Sequence, residues 1–206
     1  MILYYVMKSN SAHTLALFVI AIALVYFFYT VSKAIEVVGK TQVSTSDGIY
    51  KSYVTTSEEI QEKARTLTQR CSTKLCKVQT LLQFASNIPY VTNRFQQKSP
   101  QKTIEENFGD CDDKSNLLIS MLHALDIEAY FVLVPKHIFV VVPLKDKRLS
   151  SRKGLWINGR KYYILESTAK DSFVGYPLQY KLDDIDVIVE PFTNQKVDID
   201  KLEYKL

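Results

Sequence analysis

From Leu15 to Tyr29 the chain reads Leu-Ala-Leu-Phe-Val-Ile-Ala-Ile-Ala-Leu-Val-Tyr-Phe-Phe-Tyr, with no charge, no proline and no glycine. A helix of this composition has no polar face to turn toward water, so the run constrains the fold more than any other segment. Taken from Ala12 to Val31 it spans about 20 residues, enough for a helix to cross ~30 Å of hydrocarbon. Lys8 precedes it, Lys33 follows it, and the aromatics at Tyr26 to Tyr29 suit a membrane interface. A cleaved signal peptide would have a shorter core ending in small residues, whereas this run ends in aromatics. The expectation is an uncleaved single-pass anchor.

Its orientation is weakly specified. Lys8 lies on one side, and Lys33 and Lys40, offset by Glu36, lie on the other, so the positive-inside rule barely discriminates. The three cysteines add something: Cys71 and Cys76 are close together, and Cys111 stands apart. A pair plus one leftover thiol fits an oxidising compartment that also holds a reactive cysteine. Five residues apart in a continuous helix, Cys71 and Cys76 could not reach bonding distance. A bridge therefore requires a helix break at Ser72-Thr73, where Ser72 would cap a second helix. The soluble part is expected on the extracytoplasmic side.

The remaining length of a 206-residue chain suits one domain. The net charge of +4 is spread along the chain, and its densest basic run is Lys145, Lys147, Arg148, Arg152 and Lys153. Without interleaved aromatics this run reads as a solvated loop, and no nucleic-acid partner is expected. No Gly-rich phosphate loop occurs, and three scattered histidines without paired Cys-x-x-Cys spacing speak against a metal. No cofactor is expected.

Along the chain the expected organisation is a short tail over 1–11, the anchor over 12–31, a linker or peripheral segment over 32–56, a domain over 57–190 and a C-terminal extension over 191–206. From Ser57, apolar residues recur at helical spacing: Ile60, Ala64 and Leu67, then Leu75, Val78, Leu81, Leu82 and Ala85. Asn87-Ile88-Pro89 ends that pattern. A polar stretch from Thr92 to Glu106 follows. Leu117, Leu118, Met121, Leu122 and Leu125 then mark a strongly amphipathic helix. Ala129–Val134, Ile138–Val142, Lys161–Glu166 and Val187–Val189 have the Val, Ile and aromatic content of strands. Helices followed by an antiparallel run make the fold class α+β.

Cys111 is the sharpest chemical feature. It follows Gly109-Asp110 at a helix start, where Asp110 can be the N-cap and Asp113 its reciprocal partner in a capping box. Unpaired N–H groups and the helix dipole favour a thiolate there, lowering the thiol pKa, while Asp110, Asp112 and Asp113 oppose this. A cationic partner is needed, and histidine is the usual one. His13 lies in the apolar run, and His123 is about a dozen residues up the same helix at ~1.5 Å each. His137 stands between two strands, after the Pro135-Lys136 turn, where it can lean over a helix N-terminus.

Gly109-Asp110-Cys111-Asp112-Asp113-Lys114-Ser115, continuing to Leu122-His123-Ala124-Leu125-Asp126-Ile127, resembles the nucleophile helix of transglutaminase-like domains. Pro135-Lys136-His137-Ile138-Phe139-Val140 resembles that family's histidine strand, and Ile164-Leu165-Glu166-Ser167-Thr168 its acid strand. Asn87-Ile88-Pro89-Tyr90 is similar to a motif preceding the cysteine in bacterial and archaeal members. The resemblance covers roughly Ser57 to Val189 and departs from the family in Glu166, where aspartate is commoner.

The resemblance implies a papain-like core in which helices pack on an antiparallel sheet, with Cys111, His137 and Glu166 as a catalytic triad. Cys111 would attack an amide or ester carbonyl, His137 would move the proton and Glu166 would orient the imidazole. The backbone N–H of Cys111 is the natural first oxyanion donor, with Gln83, Asn87 and Gln96 as candidates for the second. The implied activity is that of a membrane-anchored cysteine peptidase or amidase, acting on a protein or peptide such as an envelope protein or cell-wall peptide. Transglutaminase or deamidase chemistry on glutamine, or a non-catalytic binding module on the same fold, are the alternatives.

Overall fold

The structure is a computed structural model that describes residues 2–41, 43–45, 48–92 and 97–206. It divides into two units, Met1–Thr41 and Gln42–Leu206. The first is one helix, α1 (Ile2–Thr41), so the helical backbone runs through the expected tail and on past Val31. Within it, His13–Lys33 is long and apolar enough to cross a membrane.

The second unit opens with a hairpin, β1 (Val43–Thr45) and β2 (Gly48–Tyr50), in the region expected as linker. This region is not peripheral throughout. Tyr50 is buried in the core, and the following segment is stitched to a later helix by Tyr53 N–H to Asn116 Oδ1 (2.7 Å) and Thr55 N–H to Ser120 Oγ (3.0 Å). Those acceptors lie about sixty residues away, beyond the reach of any local pattern.

Two helices follow, α2 (Glu58–Thr68) and α3 (Lys74–Asn87). The break between them lets Cys71 and Cys76 approach to a Cα separation of 5.4 Å and form a disulfide. The cap of α3 is Thr73 rather than Ser72: its side chain accepts from Cys76 N–H at 3.2 Å. The polar stretch contains a further helix, α4 (Pro100–Glu106), with Ser99 as cap and Pro100 at its first turn. Proline has no N–H to leave unpaired there, and its φ is already helical.

The central helix is α5 (Cys111–His123). The sequence pattern suggested one apolar face, but Asp113 to Leu122 are all buried. The polar members are satisfied individually: Asn116 by Tyr53 N–H and Asp112 O, Ser115 by Ser167 Oγ (3.1 Å), Ser120 by Thr55 N–H. Burial of polar side chains is tolerable when each has such a partner.

Six strands form an antiparallel sheet: β3 (Tyr130–Val134), β4 (His137–Val142), β5 (Gly154–Ile157), β6 (Arg160–Leu165), β7 (Val187–Val189) and β8 (Leu202–Lys205), in the order β7-β3-β4-β6-β5-β8. Residues 191–206, expected as an extension, therefore complete the sheet: β8 pairs with β5 from Gly154↔Lys205 to Ile157↔Leu202. Alternation along the strands serves two cores. Phe131, Leu133, Ile138, Val140 and Leu165 face the helices, while Val132, Phe139, Val141, Leu155 and Ile164 face the chain segments carrying Tyr176, Tyr180 and Tyr204. The basic run forms a short 3-10 turn, Lys147–Leu149, with Leu149 buried beneath it.

Candidate active site

Helix α5 begins at Cys111 because Asp110 caps it. Asp110 Oδ1 accepts from the N–H groups of Asp112 and Asp113, each at 3.2 Å, and Asp113 Oδ2 accepts in return from Asp110 N–H at 3.4 Å. The expected capping box is present. Gly109 is needed for its close approach: a Cβ there would lie 2.8 Å from Asp113 Cβ. The cap takes the amides of Asp112 and Asp113 and not that of Cys111.

Strand β4 places His137. The Pro135-Lys136 turn, with Lys136 at φ 60°, folds β4 back on β3 so that His137 opposes Val134. Pairing of β4 with β6, Val140 opposite Leu165, brings the start of β4 to the end of β6, where Glu166 follows. His137 Nε2 lies 2.9 Å from Glu166 Oε2. The other carboxylate oxygen accepts from Thr168 N–H (3.0 Å) and Thr168 Oγ1 (2.6 Å). Glu166 is buried, which pushes its carboxyl up, but the bonds from His137 and Thr168 prevail and lower its pKa.

Cys111 and His137 line one cleft of about 250 Å³, together with Gln97, Asp112, Lys136 and Ile138. Among the described residues the side-chain bond of Cys111 Sγ goes to Asp112 Oδ1, at 3.9 Å, and not to His137. The thiol is pushed up to about 12, first by burial, then by the Asp112 and Asp110 carboxylates; the N–H groups of Ile138 and Asp112 only partly offset them. This reverses the lowered pKa expected from the helix start. Unpaired N–H groups and a dipole cannot outweigh desolvation plus two carboxylates. The resting sulfur is therefore a thiol. Since Nε2 of His137 faces Glu166, its Nδ1 is the ring nitrogen left for another partner.

The three residues singled out in the sequence are thus brought into one region: His137 and Glu166 are bonded, and Cys111 shares the cleft with His137. His123 is not part of it; its ring packs on Phe192 with centroids 4.0 Å apart. Of the candidate second oxyanion donors, Gln83 and Asn87 are exposed on α3 and do not line the cleft, and Gln96 lies outside the described residues. Its neighbour Gln97 does line the cleft, donating from Nε2 to Asp112 Oδ2 at 2.8 Å. Tyr180 was also missed. Its ring stacks on His137 (5.8 Å, 21°) and on Phe139 (6.3 Å, 8°), and burial, then the charge of Glu166, raise its phenol. It comes from a loop after β6 with no local signal. Thr168, by contrast, stood in the acid-strand motif itself.

Residues 61–145 match the family described as the transglutaminase-like superfamily, across α2 to the end of β4 and including Cys111 and His137. The fold is transglutaminase-like. No curated protein matches the chain. Among solved structures, the transglutaminase-like domain is similar to a candidate cysteine protease from Cytophaga hutchinsonii, at 20% identity and TM-score 0.44, over 75% of this chain and 53% of that one. A candidate protease from Parabacteroides distasonis is similar at 15% identity and TM-score 0.44, over 68% of this chain and 27% of that one. Calcium-bound LapG of Legionella pneumophila is similar at 13% identity and TM-score 0.42, over 68% of this chain and 91% of that one. The chain spans about half the length of the Cytophaga protein and about a quarter of the Parabacteroides one.

Proposed function

We propose that this chain is a membrane-anchored thiol acyl-transfer enzyme, a cysteine peptidase or amidase, with Cys111 as nucleophile, His137 as general base and acid, and Glu166 as the group that orients His137. The observation that carries the reading is the 2.9 Å bond between His137 and Glu166 beside the cleft that Cys111 lines. With Nε2–H committed to Glu166, neutral His137 keeps a lone pair on Nδ1 to take the Cys111 proton. Burial and the Asp112 and Asp110 carboxylates push the thiol up, so His137 is needed to take its proton for attack. Sγ then bonds to the substrate carbonyl carbon, the C–N bond breaks, and the imidazolium returns its proton to the departing amine. Water, activated by the same histidine, cleaves the resulting thioester. The Cys111 N–H, which the Asp110 cap does not take, and Gln97 Nε2 are the proposed oxyanion donors.

Helix α1 supplies the proposed anchor, through His13–Lys33. The Cys71–Cys76 disulfide supports an oxidising, extracytoplasmic setting for the domain, with proteins or peptides near the membrane surface as substrates. An impermeant maleimide applied to intact cells tests the sidedness: labelling of Cys111 supports it, and labelling only after lysis overturns it.

Cys111 is the free cysteine, so alkylation with iodoacetamide reports on it directly. The parent is expected to react near neutral pH and to plateau well below 12. His137→Ala is expected to lose that component, its rate still climbing toward pH 12. Identical profiles in the two proteins would defeat the reading.

A further inference from the structure

Lys114 is the largest fully buried side chain among the described residues, with 1% of its surface exposed. It lies one turn after Cys111 on α5, and the proposed reaction gives it no step. An ammonium withdrawn from water is costly unless its N–H groups are met. Its Nζ donates to two backbone carbonyls, Ser86 O at 3.1 Å and Ile88 O at 2.8 Å.

Those carbonyls belong to the end of α3, the negative pole of that helix, where the last C=O groups lack intrahelical partners. Lys114 therefore caps α3 from another helix. Beyond Ile88 the chain turns at once to the approach to Cys111. Tyr90 forms a parallel bridge with Gly109, through Gly109 N–H to Pro89 O and Val91 N–H to Gly109 O, both 3.1 Å. Gly109 is two residues before the reactive sulfur. Tyr90 is 52% exposed, at the surface next to the start of α5 that Gly109 leads into. One ammonium thus links the helix of Cys111 to the segment that bridges Gly109 just before it.

We propose that Lys114 is a positioning residue whose ammonium pins the Ser86–Tyr90 segment to α5, so that the Tyr90–Gly109 bridge holds the start of α5, and with it Cys111, in one place. This rests on the reading of Cys111 as nucleophile. Removing the ammonium leaves Ser86 O and Ile88 O unmet in a dry interior, and the segment moves to find water. A displacement of about 1 Å at a reacting centre lowers rates by as much as ~100-fold.

The test uses the full-length protein in detergent, with Lys114→Met removing charge and donors and Lys114→Gln keeping a neutral donor. Leu155→Ala, a fully buried change on the opposite face of the sheet, controls for general destabilisation. Amide exchange at Gly109 and Val91 is measured together with the pH profile of Cys111 alkylation. In Lys114→Met both amides are expected to exchange about tenfold faster than in Leu155→Ala, and neutral-pH alkylation to fall about tenfold, with Lys114→Gln intermediate. Parent-like exchange and alkylation in Lys114→Met, or in Lys114→Gln should the first not fold, overturns the proposal. Faster exchange with an unchanged alkylation profile also overturns it, since Lys114 would then act on structure alone. Failure of the underlying reading shows itself separately, as a parent indistinguishable from His137→Ala without any change at Lys114.

Discussion

Glu166 divides its two carboxylate oxygens between two partners: Oε2 meets His137 Nε2 at 2.9 Å, and Oε1 receives both the N–H and the hydroxyl of Thr168. The carboxylate is thereby held at both oxygens. Glu166→Gln is expected to lower neutral-pH alkylation of Cys111 by about tenfold or more, because a neutral amide neither stabilises an imidazolium nor enforces the same tautomer. The folded carboxyl titrates below its unfolded value of 4.5, so its stabilisation is complete above pH 4.5 and disappears as pH falls through the lower folded value. Denaturant titrations from pH 7 to 3 should show the parent losing stability over that range, with a shallower loss in Glu166→Gln.

Tyr180 covers the ring of His137, and the paired side chains of His137 and Glu166 are only 15% and 10% exposed. Tyr180→Phe keeps the stack and should retain the parent's alkylation profile within about twofold. Tyr180→Ala admits water to the pair and should reduce the His137-dependent rate by about tenfold. Equal profiles for the Phe and Ala variants would show that the cover has no bearing on His137.

Asp110 has opposing effects on stability and on reactivity. Its side chain caps α5, and its charge helps hold the Cys111 thiol high. Asp110→Ala is expected to cost about 1 kcal/mol, the usual value of a lost cap. Asp110→Asn keeps the acceptor and should change stability by only a few tenths of a kcal/mol. In both variants the alkylation profile moves to lower pH, read in a background lacking His137 so that the thiol titrates alone.

Lys114 sets a second pH dependence, of the same sign as that of Glu166 but at alkaline pH. Burial lowers its pKa to about 8 from 10.5, and the Glu166 charge pulls it partly back. Between those values the unfolded chain binds the proton more tightly, so stability rises as pH passes from about 8 toward 10.5, by at most about 3 kcal/mol. Urea unfolding at pH 7.5 and 9.5 should show this rise in the parent and its absence in Lys114→Met.

The sequence by itself determined a good deal. Wherever a signal is local, spacing and capping chemistry were enough: the apolar run of α1, the Asp110–Asp113 capping box, the end of α3 at Ile88, and the strands β3, β4, β6 and β7 with their Val, Ile and aromatic content. Helix α4 was passed over as part of a polar stretch, although Ser99-Pro100 is a local start signal. Cys111, His137 and Glu166 stood out because each sits in a short motif with its own neighbours.

Only the tertiary structure decided the rest. It showed that β8 closes the sheet, that Asn116 and Ser120 bind the segment after β2, that Gln97 and Tyr180 enter the site, and that Lys114 reaches α3. It also reversed the expected direction of the Cys111 thiol. A helix start is visible in a few consecutive residues, but desolvation is set by everything that packs around a sulfur, and that surrounding comes from chain segments far apart in sequence.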